Sequence, residues 1–291
     1  MRSLLFVPAD SDKKLAKGAE SGADALILDM EDSVALSRKD EARKGARCYL
    51  HRADRKGPKL IIRINALDSG LWEEDLLAVI PARPDMIMIP KTISGACVAR
   101  IATRIDAIEA EFDIERGSTR LCCVATETAA SLFNLGSYAG SSPRLAALSW
   151  GAEDLAAALG ARHNKDEAGN YTEPYKLART LTLLGAVAAG VDPLDTIYGD
   201  YRDEAGLEKQ ARDAARDGFT GKMAIHPAQV AIINRVFTPS EEELTHARAV
   251  VAAFAEAGDV GVVGLNGTML DRPHLRQAER LIARAASFTR P

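Results

Sequence analysis

Eight short apolar runs, most of them followed by a helical stretch, constrain this chain more than any other feature of its sequence. They cover residues 3–7, 25–29, 60–64, 86–90, 121–125, 146–150, 196–198 and 223–225. Each is nearly continuously apolar and bounded by Gly, Pro or charge, the pattern of strands buried on both faces. Between them, residues 37–52, 71–80, 98–111, 174–190, 203–216 and 228–236 repeat their apolar positions with helical spacing. Alternating strand and helix units imply a parallel sheet with right-handed crossovers. Eight of them favour closure into an α/β (β/α)8 TIM barrel, expected over residues 1–237. Residues 238–291 form an extension. Thr238-Pro-Ser-Glu-Glu-Glu reads as an N-cap before a helix to about residue 257. A glycine-rich hairpin or loop follows over 258–271, then a last helix over 273–286 with Pro near its start.

The composition agrees with a globular enzyme-sized chain. Of 291 residues, 47% are hydrophobic and 27% charged, enough to bury a core without disulfides. Aromatics are only 5%, so Ala, Leu, Val and Ile must fill that core. The net charge is −4 and no Lys/Arg-rich run stands out, which argues against a nucleic-acid or anionic-membrane partner. The longest apolar run, near residues 181–191, falls short of the roughly 18 residues of a membrane span. The opening Met-Arg-Ser-Leu-Leu-Phe-Val-Pro is too short for a signal peptide. Cys48, Cys97, Cys122 and Cys123 form no CxxC pair. Free thiols and a cytoplasmic location are expected.

Barrel enzymes carry their chemistry at the C-terminal ends of strands. Here those ends read Leu28-Asp29-Met30-Glu31-Asp32, Arg63-Ile64-Asn65, Pro90-Lys91, Thr126-Glu127-Thr128, Gly151-Ala152-Glu153-Asp154 and His226-Pro227. So many acids on one rim need pairing or a metal. A carboxylate set without His or Cys suits a hard cation such as Mg²⁺, which takes one or two carboxylates plus waters and substrate oxygens. Glu127 and Asp154, from neighbouring strand ends, can share one ion, with Asp29, Glu31 and Asp32 orienting its waters. Taken singly, each carboxylate also reads as a solvated loop charge or a helix cap.

Arg63 can grip a carboxylate through two parallel hydrogen bonds, or bridge structurally to Glu31 or Asp32. Lys91 suits a Schiff base if desolvated, but pairs more naturally with the acids around it. Arg2, just before the first strand, falls at the opposite end of the barrel. His226 reads equally as an acid or base and as a satisfied loop residue. No HExxH, dinucleotide fingerprint or P-loop is present.

Taken in order, these stretches resemble the citrate lyase β-subunit-like family, the CoA-thioester lyases of the HpcH/HpaI aldolase superfamily. The matching pieces are Arg2-Ser-Leu-Leu-Phe-Val-Pro, Leu28-Asp-Met-Glu-Asp-Ser-Val, Arg63-Ile-Asn, Pro90-Lys91, Glu127-Thr128, Gly151-Ala-Glu-Asp-Leu, Gly221-Lys-Met-Ala-Ile-His-Pro-Ala-Gln and Asn266-Gly-Thr-Met-Leu-Asp271-Arg-Pro. The resemblance implies a Mg²⁺-dependent barrel that cleaves or forms a carbon–carbon bond in a malyl-, citramalyl- or citryl-CoA-like thioester, with a 2-keto acid as the other product. It assigns the metal to Glu127 and Asp154 and the keto-acid carboxylate to Arg63. It places Asp271 in a C-terminal lid, where relatives supply it to a neighbouring subunit of a trimer. Arg63 and Asp271 are thus the expected catalytic residues, Arg63 and Glu127 the expected substrate contacts, and a homotrimer the expected assembly. Ala9, Thr126 and Thr268 depart from the residues usual at those places (Gly, Ile and Lys), and the last bears on thioester specificity. Other readings are a CoA-independent class II pyruvate aldolase, a Schiff-base aldolase on Lys91, and a lyase subunit that needs an acyl carrier protein.

Overall fold

A computed structural model describes residues 1–288, which divide into two compact units, Met1–Asn234 and Arg235 onward. The first is a closed parallel barrel of eight strands in sequence order. The strands are β1 (Ser3–Pro8), β2 (Ala25–Asp29), β3 (Lys59–Arg63), β4 (Met86–Ile89), β5 (Arg120–Val124), β6 (Leu145–Ser149), β7 (Asp192–Asp195) and β8 (Gly221–Ala224). The helices between them are α1 (Asp12–Ala19), α2 (Lys39–Arg52), α3 (Trp72–Val79), α4 (Gly95–Glu111), α5 (Ala129–Leu132), α6 (Ala152–Leu159), α7 (Glu173–Ala189), α8 (Glu204–Asp217) and α9 (Pro227–Phe237). The divide between the units falls within α9 rather than after residue 237.

The strands are apolar on both faces because both are buried. Leu4, Ala25, Ile27, Ile61, Met86, Met88, Cys122, Val124, Ala147, Leu194 and Met223 fill the barrel interior. Their strand neighbours, such as Leu26, Ile62, Ile87 and Cys123, are equally buried and face the helix layer by the alternation of a strand. Each such side chain contributes about 2 kcal/mol of transfer free energy. Cys122 and Cys123 therefore sit on opposite faces, and all four cysteines are free thiols.

Two sequence expectations need correction. The seventh strand is Asp192–Asp195, not 196–198. An apolar-run search passes over it because it holds two acids and a proline. Asp195 is fully buried there only because Lys222 of β8 neutralises it. Helices α1, α5 and α6 were not expected. α1 is only eight residues long and buries only Leu15 and Gly18. α5 and α6 are short and lie in the loops that follow strand ends.

The second unit holds α10 (Glu241–Ala257), the antiparallel pair β9 (Val262–Leu265) and β10 (Thr268–Asp271), and α11 (Arg272–Phe288). Ser240 and Glu243 form a reciprocal capping box at the start of α10. Asn266 and Gly267 both take positive φ between the two strands, as a two-residue hairpin turn requires. Ala247, Val250, Phe254, Val263, Leu270 and Ala278 make this unit's own core.

Candidate active site

The strand ends deliver the expected charges to one cluster. Arg63 ends β3 and lies 12% exposed, with its guanidinium stacked over the Phe6 ring at 4.8 Å. Its Nε and Nη2 each donate to Asp29, both at 2.7 Å, and its Nη1 lies 3.0 Å from Glu31 Oε2. Asp29 also accepts from the amides of Glu31 and Ser33. Burial works against its charge, but Arg63 prevails and holds the carboxyl below the usual range. The Nε–Nη2 fork of Arg63 is thus filled by Asp29, with Nη1 shared with Glu31. Both oxygens of Asp29 are taken by Arg63 and by the amides of Glu31 and Ser33.

Lys91 closes the other side. Its residue adopts φ +50°, which turns its backbone amide onto Glu127 Oε2. Its ammonium lies 2.6 Å from Glu31, 3.0 Å from Asp32 and 3.4 Å from Asp154. Burial alone would lower its affinity for a proton, but Glu31 and Asp32 raise it above the ordinary lysine value. A lysine held cationic by three acids is a poor Schiff-base nucleophile.

Glu127 is the least compensated member. It is 4% exposed and accepts the Lys91 amide. Burial pushes its carboxyl up to about 8, against the Lys91 amide, and the nearby Asp154 and Glu31 push the same way. Burial also raises Glu31, whose Oε2 makes no hydrogen bond. Gly151 gives Glu127 its room, since a Cβ there would meet Glu127 Cγ at 2.7 Å. Asp154 projects from the first turn of α6 and is about one-third exposed.

Five carboxylates thus face two cations, Arg63 and Lys91. Among the described residues, no three His, Cys, Asp or Glu side chains form a ready-made metal cluster. Mg²⁺ does not require one, because substrate and water complete its shell. A carboxylate pushed up by burial and, after that, by acidic neighbours, beside an acid open to solvent, is an arrangement that a hard divalent cation would relieve. The residues fit the ion.

Several partners escaped the sequence reading. Lys39 donates to the carbonyls of Met30 and Glu31, at 2.8 and 2.7 Å, and fixes the acidic loop. Asn65 donates to Asp75, which also accepts from Arg43. Gln229 is buried and joins two loops, accepting from the amides of Ile225 and His226 and donating to the Tyr198 carbonyl. Lys39, Arg43 and Asp75 lie outside the strand-end stretches, while Asn65 and Gln229 lie inside stretches the sequence singles out, but only the fold reveals what they bond. Arg2 pairs with Asp24 next to the start of β1, away from these strand ends. His226 stacks on Tyr201, with ring centroids 4.5 Å apart. In the second unit, Asp271 ends β10, half exposed, with Oδ1 2.6 Å from His274 Nδ1.

Known proteins are similar to this chain in sequence and in fold. Residues 2–227 match the family model described as HpcH/HpaI aldolase/citrate lyase. The chain is 32% identical to the citrate lyase subunit beta of Leuconostoc mesenteroides subsp. cremoris, over 97% of this chain and 92% of the relative. It is 33% identical to the mitochondrial citramalyl-CoA lyase of Rattus norvegicus, over 99% of this chain and 86% of the relative. Among solved structures, protein CitE of Mycobacterium tuberculosis in complex with magnesium, acetoacetate and coenzyme A superposes with a TM-score of 0.78. That protein is 33% identical, and 98% of each chain is covered.

Proposed function

Because the chain belongs to the HpcH/HpaI aldolase/citrate lyase family and is a lyase of that family, we propose that it cleaves a β-hydroxyacyl-CoA thioester into a 2-keto acid and an acyl-CoA. The observation that carries this reading is Glu127, buried, pushed up to about 8, and close enough to Arg63 and Asp154 to feel both charges. Such a carboxylate is prepared for a hard cation and an anionic substrate together.

Glu127 and Asp154 would hold Mg²⁺. When bound, that ion supplies Lewis acidity to the oxygens of the keto acid. Arg63, locked by Asp29 and stacked on Phe6, keeps its charge and direction and orients the substrate carboxylate from its Nη1 side. Lys91 holds Glu31 and Asp32 in place, and its amide fixes one oxygen of Glu127. Asp271 is the group we propose to move the proton of the departing thioester enolate. A homotrimer is part of the same proposal and is read by light scattering. Among the described residues, no helix is long and apolar enough to cross a membrane.

Malyl-, citramalyl- and citryl-CoA, each supplied with Mg²⁺, test the proposal by release of keto acid. Turnover of one or more supports it. Turnover only of free hydroxy-keto acids replaces it with a CoA-independent aldolase, and turnover only after addition of an acyl carrier protein with a subunit role.

A further inference from the structure

Another buried charge group lies behind the wall of the site. Leu194 and Met223 point into the barrel, so their neighbours Asp195 and Lys222 point outward, beneath α7 and α8. Both are fully buried. Lys222 Nζ spends its three protons on Asp195 Oδ2, the Thr196 carbonyl and Gln210 Oε1 of α8, each at 2.7 Å. Asp195 Oδ1 accepts the indole N–H of Trp150 at 2.8 Å, with Arg179 Nε of α7 at 3.6 Å. Trp150 is also fully buried, and Tyr171 packs edge-on against it at 5.1 Å while its hydroxyl bonds Gln210.

Trp150 immediately precedes Gly151, the residue that abuts Glu127, and α6, which carries Asp154. The last residue of β6, Ser149, is tied to the Glu127 side of the rim by its carbonyl, which accepts the Ala125 amide. The indole N–H therefore fixes, from behind, the point where β6 turns into the segment 151–154. Packing alone does not explain an ion pair in this place, because apolar residues of similar volume commonly serve a buried site as well. What Leu and Met cannot supply is a fixed acceptor for the indole.

We propose that Asp195 and Lys222 are positioning residues that act through Trp150 to set the separation of Glu127 and Asp154, and with it the affinity for Mg²⁺. This rests on the reading of Glu127 and Asp154 as the metal ligands. The test is calorimetric titration of the full chain with MgCl₂ in the presence of pyruvate. Asp195→Leu/Lys222→Met removes both charges together, so no unpaired ion stays buried. It is expected to lose Mg²⁺ affinity by roughly 10- to 100-fold, the effect usual for partners that orient metal ligands. Its kcat should fall while the KM for thioester holds. Trp150→Phe keeps an aromatic ring at this place but removes the indole N–H together with the five-membered ring, and should lose affinity in the same direction.

In a Trp72→Phe background Trp150 is the sole tryptophan. Its emission should respond to MgCl₂ with pyruvate, and the double substitution should abolish the response. Glu127→Ala is the control. If it binds normally, the ligand assignment fails and the proposal falls with it. If it loses binding while a folded Asp195→Leu/Lys222→Met protein keeps wild-type affinity and kcat, the ligand assignment stands and the positioning role is overturned. Should the double variant not fold, wild-type affinity in Trp150→Phe overturns the role equally.

Discussion

Two of the barrel's groups of buried charge differ in one respect. At β7 and β8, Lys222 and Asp195 match donors to acceptors within the chain. At the ends of β2 to β6, Arg63 and Lys91 face an excess of acid, Glu31 has an oxygen without a hydrogen bond, and Glu127 is pushed up to about 8. In the first group the Lys222 ammonium and the Asp195 carboxylate find their partners within the chain. The second is prepared for something the chain does not contain. Full satisfaction marks scaffolding, and a directed shortfall marks a place where a ligand finishes the electrostatics.

The sharpest way to break that contrast is Glu127→Ala. It should abolish binding of Mg²⁺ with pyruvate and lower kcat/KM by about 10³-fold or more, on the order of 4 kcal/mol of transition-state stabilisation. Its effect on folding should be small or favourable, since it removes an uncompensated acid. Lys222→Met should do the reverse. It leaves Asp195 buried beside a neutral residue and should cost about 3–5 kcal/mol in urea unfolding. Adding Asp195→Leu should restore most of that stability.

Proton linkage separates the two groups again. The Glu127 carboxyl is raised from an ordinary 4.5 to about 8, so the folded state prefers its protonated form. Its contribution is whole below about pH 4.5 and is lost as pH rises through about 8. Metal-free protein should therefore lose a few kcal/mol over that window, at about 1.4 kcal/mol per pH unit. Glu127→Gln should flatten the profile, and Mg²⁺ should restore stability at the alkaline end. Thermal melts across pH measure both.

Smaller changes set the scale. Gly151→Ala drives a methyl into Glu127 and should weaken Mg²⁺ binding by about tenfold, or about 1.4 kcal/mol. Arg116→Ala breaks an exposed pair with Asp106, far from either group, and should change stability by less than about 1 kcal/mol.

The sequence by itself determined the barrel and the rim. Apolar runs report local burial, and seven of them mark true strands. A chain with that many buried strands and crossover helices has few ways to cover them, even though β7, with its two acids and proline, left no apolar run of its own. The acids and cations that follow those runs then gather at the strand C-termini, which made Arg63, Lys91, Glu127 and Asp154 legible together. What only the tertiary structure decided is who pairs with whom. Register sets Arg63 against Asp29 and Lys222 against Asp195. A positive φ at Lys91 aims a backbone amide at Glu127. Gln229 and Lys39 reach loops distant in sequence or out of helical phase. Burial leaves a periodic trace along one chain segment. Charge compensation depends on atoms a few ångströms apart on different strands, and no single segment carries that information.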